Sequence, residues 1–169
     1  MPPALIYLQA YPESLQQQVQ QLIAHDRLTA ILLKRYPRGH DKQSNAALHD
    51  YVQDLKNQFM RNAPPLGKVH YDAKIQVLDD ALGQHIIKQK SHGGQNKTRR
   101  EIKIATLFKH VPDAFLNMIV VHELAHFKER EHNKAFYQLC RHMNADYHQH
   151  EFDVRVYLTH IDLYGVLWQ

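Results

Sequence analysis

One cysteine in 169 residues excludes an internal disulfide. That residue, Cys140, has Phe136, Leu139 and Met143 for neighbours and reads as a small buried apolar side chain, not as a nucleophile or ligand. No apolar stretch reaches the length of a membrane span. None opens the chain either, whose first basic residue is Arg27, so neither anchor nor secretory signal is expected and a cytoplasmic location is the default. A glycine-rich phosphate loop is missing. The basic stretch from Lys88 to Lys103 has no interleaved aromatic residues, which argues against a dedicated single-strand nucleic-acid surface. No internal repeat is visible.

What is present fits an ordinary globular chain. Its length suits one domain with a real core, taken as residues 1–169 with a helical part over 1–65 and a sheet-plus-site part over 66–169. A formal charge of +4 and a pI near 9.1 would help attract an acidic partner, without identifying one.

Leu15, Val19, Leu22, Ile23, Ile31 and Leu32 recur at helical spacing behind Pro12 and Glu13, and Tyr36-Pro37-Arg38-Gly39 breaks the pattern. A further helix is expected from about Asn45 to Arg61, with Ser44 as its cap. The middle then changes character. Lys74–Leu78, His85–Lys88 and Glu101–Ala105 read as strands, and Ser91–Lys97 as a turn-rich hairpin tip. The last strand should lie beside the helix that follows and offer its edge to an extended substrate. Asn133 is a plausible cap for a helix through Met143, and Asp146–Leu163 reads as helix, although Val154–Tyr157 could be a strand. The sum is an α+β fold whose small sheet is mostly antiparallel and packs on a buried helix.

That buried helix begins at Val111-Pro112-Asp113 and carries His122-Glu123-Leu124-Ala125-His126, the H-E-x-x-H pattern of zinc hydrolases. With 14 histidines in the chain, shuffling alone would produce the pattern in roughly 4% of sequences, so the flanks must decide. No charge falls between Asp113 and Glu123, and the apolar residues from Phe115 to Phe127 cover every side of a helical wheel. Histidines at i and i+4 share one face and can reach a single ion. Buried in such a helix they need partners, and a metal supplies one. Glu123, about 100° round from His122, is placed to act as general base on a zinc-bound water.

A catalytic zinc takes three protein ligands and leaves a position for water. His132 is the leading third candidate, because the bend before Asn133 could swing it back over the ion. Glu151, Asp146, His142, His148 and His150 are its rivals. An electrophile for the transition state could come from Tyr137, His142, Tyr147 or Arg100. Lys88–Lys103 holds six Lys or Arg against Glu101, and within it Lys97, Arg99 and Arg100 are candidate substrate contacts.

Ile119-Val120-Val121-His122-Glu123-Leu124-Ala125-His126, followed by His132-Asn133-Lys134-Ala135-Phe136-Tyr137, resembles the YgjP-like metallopeptidase family, whose members read V-V-H-E-L-x-H, five residues, then H-[SN]-x-x-F-[WY]. The likeness extends upstream through Leu66 to Phe108 and into the amino-terminal helices, as in a bacterial member. It implies a zincin-like fold, zinc held by His122, His126 and His132, and Glu123 as catalytic. One segment departs: many relatives carry R-x-x-x-W-G-S-C where this chain has Ser91–Lys97. Similar proteins are also described as UTP pyrophosphatases.

Three functions are therefore on the table. The first is a cytoplasmic zinc hydrolase of metallopeptidase type acting on a peptide. The second keeps the metal and takes a nucleoside triphosphate, which the Lys97, Arg99 and Arg100 cluster favours. The third is a non-enzymatic nucleic-acid or protein-binding module with a structural zinc. Glu123 speaks against it, since a structural site needs no base. Neither a membrane nor a nucleic-acid partner is expected.

Overall fold

Asp26, at φ 55°, divides the first helical stretch into α1 (Glu13–Ala24) and α2 (Leu28–Arg35). A short polar residue tolerates this left-handed turn better than a β-branched one would. In the computed structural model the backbone is described for residues 5–75, 84–92 and 95–169, and side chains for those of them outside 84–98. Helix α3 (Asn45–Phe59) starts at Ser44, whose hydroxyl accepts the Ala47 N–H at 3.0 Å, a cap worth about 1 kcal/mol. Its buried stripe is Leu48, Val52 and the stem of Lys56.

Strands β1 (Leu66–Asp72), β2 (Gln84–His92) and β3 (Gln95–Ala105) form a mixed sheet in the order β1-β3-β2. The β2–β3 pairing is antiparallel, with Ile86 opposite Glu101 and Lys90 opposite Lys97. The β1–β3 pairing is parallel, with Val69 opposite Ile102 and Tyr71 opposite Ile104. The expected mostly antiparallel sheet thus has one parallel pairing, because β1 and β2 run in opposite senses on either side of β3. Gly67 permits the close approach: a Cβ there would sit 3.1 Å from the Arg100 carbonyl oxygen. On the other side of β1, the Tyr71 N–H is taken by Asn45 Oδ1 at 3.0 Å.

Two strand expectations are corrected. The first strand is Leu66–Asp72, whereas Lys74 belongs to a turn in which its N–H bonds Asp72 Oδ1 at 2.8 Å; residues 76–78 of the expected Lys74–Leu78 strand lie outside the described residues. The Ser91–Lys97 segment is no long tip either. The ladder continues to His92 opposite Gln95, since backbone pairing overrides the turn preference of the side chains, and residues 93–94 lie outside the described part.

Helix α4 (Asp113–Ala125) follows a 3-10 turn over Thr106–Lys109 and carries the motif. Phe115, Leu116, Met118, Ile119, Val120, Val121, Leu124 and Ala125 are all fully buried, as the apolar wheel implies. Ile102 and Ile104 from β3 cover it on one side; α3, α5 (Lys134–Met143) and α6 (Tyr147–Tyr164) pack round the rest. Val154–Tyr157 is helical. Cys140 is fully buried, and burial pushes its thiol up to about 12, so it is no thiolate at neutral pH. Asn117, half-buried on α4, donates to the Tyr51 hydroxyl at 2.8 Å and accepts from Asn144 at 2.9 Å, joining three elements. Among the described residues no helix is long and apolar enough to cross a membrane.

Candidate metal centre

His122 lies in the last turn of α4, and His126 is the residue that ends the helix, at φ −65° and ψ −12°. The chain then tightens: Phe127 N–H bonds the Leu124 carbonyl at 2.9 Å and Glu129 N–H the Ala125 carbonyl at 3.0 Å. Asn133 restarts the helical path as the cap of α5, its Oδ1 accepting the Phe136 N–H at 2.9 Å. His132 stands between this turn and this cap and is carried back over the end of α4.

The outcome is a convergence of three imidazoles. Nε2 of His126 is 3.2 Å from Nε2 of His122 and 3.0 Å from Nε2 of His132. Among the described residues these three form the group whose ligand atoms all lie within 4.8 Å of one another. His126 is half-buried and His132 exposed, so the group opens to solvent on the His132 side. Phe136, fully buried, forms its floor, with ring centroids 5.0, 4.6 and 4.9 Å from those of His122, His126 and His132.

The donor set suits a metal ion. Nδ1 of His126 donates to the Glu129 carbonyl at 2.9 Å, so in the neutral ring Nε2 bears the lone pair. Nδ1 of His122 is likewise engaged, 2.8 Å from the hydroxyl of Tyr147. Nitrogen lone pairs facing each other at about 3 Å repel, and a shared cation turns that repulsion into ligation. Glu123, only 1% exposed, is buried on the neighbouring face of the helix.

The other candidates are elsewhere. His142 is exposed and packs on Phe59, ring centroids 5.4 Å apart. His150 bonds Asn144 at 3.0 Å, Asp146 is exposed, and His148 lies against Tyr137 at 5.4 Å. Glu151 pairs with Arg155 at 3.6 Å. Tyr147, an expected electrophile, is fully buried behind His122; burial, then Glu151, raises its phenol far above its ordinary value. Tyr137 stays near the opening, its ring centroid 6.4 Å from that of His132.

Of the three basic candidates, the Lys97 side chain lies outside the described residues. Strand alternation sends Arg100, Ile102 and Ile104 to the α4 side and Arg99 to the other. Arg100 is half-buried with its guanidinium 6.0 Å from the ring of Phe127, the residue that follows His126 in the chain, whereas Arg99 is exposed. Within β3, Arg100, Ile102 and Lys103 are paired with β1 on one side and β2 on the other, so an extended substrate would have to pair along another part of the sheet edge. Residues 95–99 of β3 pair with β2 alone.

What sequence reasoning missed is the set of contacts behind the imidazoles. The Glu129 contact is a backbone carbonyl, to which residue identity is blind. Tyr147 acts on His122 from 25 positions away, with no local spacing to reveal it.

The fold and this donor set define a metal-dependent hydrolase of zincin-like architecture. The chain belongs to the YgjP-like family: the family model described as "YgjP-like, metallopeptidase domain" matches residues 14–155. It is 58% identical over 159 residues, 94% of this chain and 95% of the relative, to UTP pyrophosphatase of Escherichia coli (strain K12). No solved structure matches it.

Proposed function

We propose that this hydrolase acts on a nucleoside triphosphate, UTP first among them, and releases pyrophosphate. The observation that carries the choice is the 58% identity, along nearly the whole of both chains, to a protein named UTP pyrophosphatase. Arg100 adds support: its half-buried guanidinium lies 6.0 Å from the ring of Phe127, the residue after His126, and a guanidinium suits a phosphate better than the neutral carbonyl of a peptide.

In this reading His122, His126 and His132 hold the metal, zinc being the ion that an all-imidazole set with an open side suits best. When bound, zinc would supply Lewis-acid chemistry, polarising a phosphoryl oxygen and making water more acidic. Glu123 takes the proton from the attacking water as a new P–O bond forms at the α-phosphorus. The bond from that phosphorus to the bridging oxygen breaks, and pyrophosphate leaves with its electron pair. Arg100 orients the polyphosphate and offsets its charge. The open His132 side is where substrate enters.

The peptide reading keeps the same metal and base and draws on the family's metallopeptidase description. Over Arg100, Ile102 and Lys103 of β3, where both sides are paired, a peptide has no ladder to join. The two separate in one assay: zinc-loaded wild type and Glu123→Gln incubated with UTP, other nucleoside triphosphates and a peptide library. Pyrophosphate release by wild type and not by the variant is expected. Peptide cleavage that depends on Glu123, with no pyrophosphate, would overturn the nucleotide reading.

A further inference from the structure

Tyr137 on α5 links the candidate metal centre to a further set of exposed groups. Its half-buried ring has its centroid 6.4 Å from that of His132, with 39° between the planes. The same ring lies 5.4 Å from His148, the second residue of α6, with 36° between the planes. Phe136, fully buried, backs it edge-on at 5.1 Å and holds it in place. His148 in turn lines a cavity of about 460 Å³ between α1, α2 and α6, together with Tyr11, Gln149 and Phe152.

Packing alone would bury the rings on either side of Tyr137, yet His132 and His148 are both exposed. Aromatic rings held at a surface offer faces on which planar bases stack, whatever the base. In the proposed reaction the α-phosphorus sits at the imidazole group, and the base hangs from it through the ribose. The base must then come to rest beyond the centre, on its open side. That side is marked by His132, and the ring beside His132 that is not itself a candidate ligand is Tyr137.

We infer that Tyr137 and His148 form the surface on which the base of the nucleotide stacks, with the cavity beside His148 leaving room for the far edge of the base. The inference rests on the nucleoside triphosphate reading and deepens it. The imidazole group and Arg100 act on the polyphosphate, while the two rings sense that a base is attached. Stacking tolerates every base, so this surface separates nucleotides from inorganic phosphates and does not by itself select uracil.

The test compares zinc-loaded wild type with Tyr137→Leu, Tyr137→Phe and the exposed-site variant His148→Ala. Calorimetric titration measures the binding of a UTP analogue whose α- and β-phosphorus are joined by a methylene group, and of inorganic pyrophosphate, which has no base. Tyr137→Leu should bind the analogue about 5–100-fold more weakly, the scale of one lost base–aromatic stack, and His148→Ala should weaken it in the same direction. Neither should weaken pyrophosphate by the same factor. Tyr137→Phe, which keeps the ring and removes only the hydroxyl, should recover most of the loss. In proton NMR the uracil H5 and H6 signals of the bound analogue should move upfield with wild type and less so with Tyr137→Leu, because the ring above them is gone. Circular dichroism of each variant checks that the fold is kept. Unchanged analogue affinity in both Tyr137→Leu and His148→Ala, or equal losses for the analogue and pyrophosphate, would overturn the inference and leave the nucleotide reading intact. Wild type that releases no pyrophosphate from any nucleoside triphosphate would overturn the nucleotide reading itself.

Discussion

The guanidinium of Arg100 lies 6.0 Å from the centre of the Phe127 ring, the residue after His126. This contact separates two arginines that are adjacent in the chain and equal in charge. Arg100 shares the α4-facing side of β3 with Ile102 and Ile104, and Arg99 points away into solvent. Arg100→Ala should therefore lower kcat/KM for UTP by about 100-fold, the scale seen when one charge-stabilising donor is removed. Arg99→Ala should change it less than about threefold. Pyrophosphate release under initial-rate conditions measures both, and equal losses would contradict the assignment to faces.

The divided roles of the motif residues lead to a second outcome. Glu123→Gln should retain one equivalent of zinc by elemental analysis and lose about 10²–10⁴-fold in turnover, the range for a general base. His122→Ala should lose the metal outright. His132→Ala should weaken zinc binding without abolishing it, because it removes the exposed imidazole and leaves the i, i+4 pair held on α4, with Nε2 atoms 3.2 Å apart.

Phe136 touches all three imidazoles and is fully buried. Phe136→Ala should cost about 3–5 kcal/mol in metal-free protein, through lost burial and the cavity left behind. Urea denaturation reads the stability, and a cost under about 1 kcal/mol would mean that the floor collapses to fill the space. Phe136→Leu should recover most of the stability, since it refills most of the volume.

Stability should also depend on pH through His160. It is 1% exposed; Nδ1 donates to the Gly165 carbonyl at 2.9 Å, and Nε2 lies 2.7 Å from the Thr29 hydroxyl. Burial lowers its pKa below the ordinary value, against a smaller opposing effect of the Gly165 carbonyl. The unfolded chain takes up this proton near pH 6.5 while the folded chain resists it, so the unfolded state binds more protons there. The stabilisation is complete above about pH 6.5 and falls as the pH drops toward the folded-state pKa. His160→Asn should show a smaller drop in urea midpoint between about pH 7.5 and pH 5.5 than wild type. Burial lowers His40 and His70 in the same way, so some dependence should remain in the variant. An unchanged drop would remove His160 as a contributor.

Some elements were legible because their signals are local. Ser44 and Asn133 cap α3 and α5 because a short polar side chain can reach the N–H three residues on. The apolar wheel of α4 follows from its composition, and the i, i+4 histidines from helical pitch. The strands were read less well. Leu66–Asp72 contains Gly67 and a charged alternation that is weak as a pattern, yet it pairs with β3 through backbone groups that every residue carries. The stretch Ser91–Lys97 looked like turn for the same reason in reverse.

By itself the sequence determined a buried helix ending in two histidines and a glutamate, because pitch and apolar content are properties of neighbouring residues. It also put His132, at the bend before Asn133, first among several candidates for a third ligand. Tertiary structure alone decided which atoms stand behind those imidazoles and which of two adjacent arginines packs on Phe127. Tyr147 meets His122 across 25 positions, Glu129 contributes a carbonyl, and Arg100 is separated from Arg99 only by the side of the sheet it occupies. These contacts are set by how α6 and β3 pack on α4. Packing at long range follows from the simultaneous burial of several faces, which no single stretch of residues encodes.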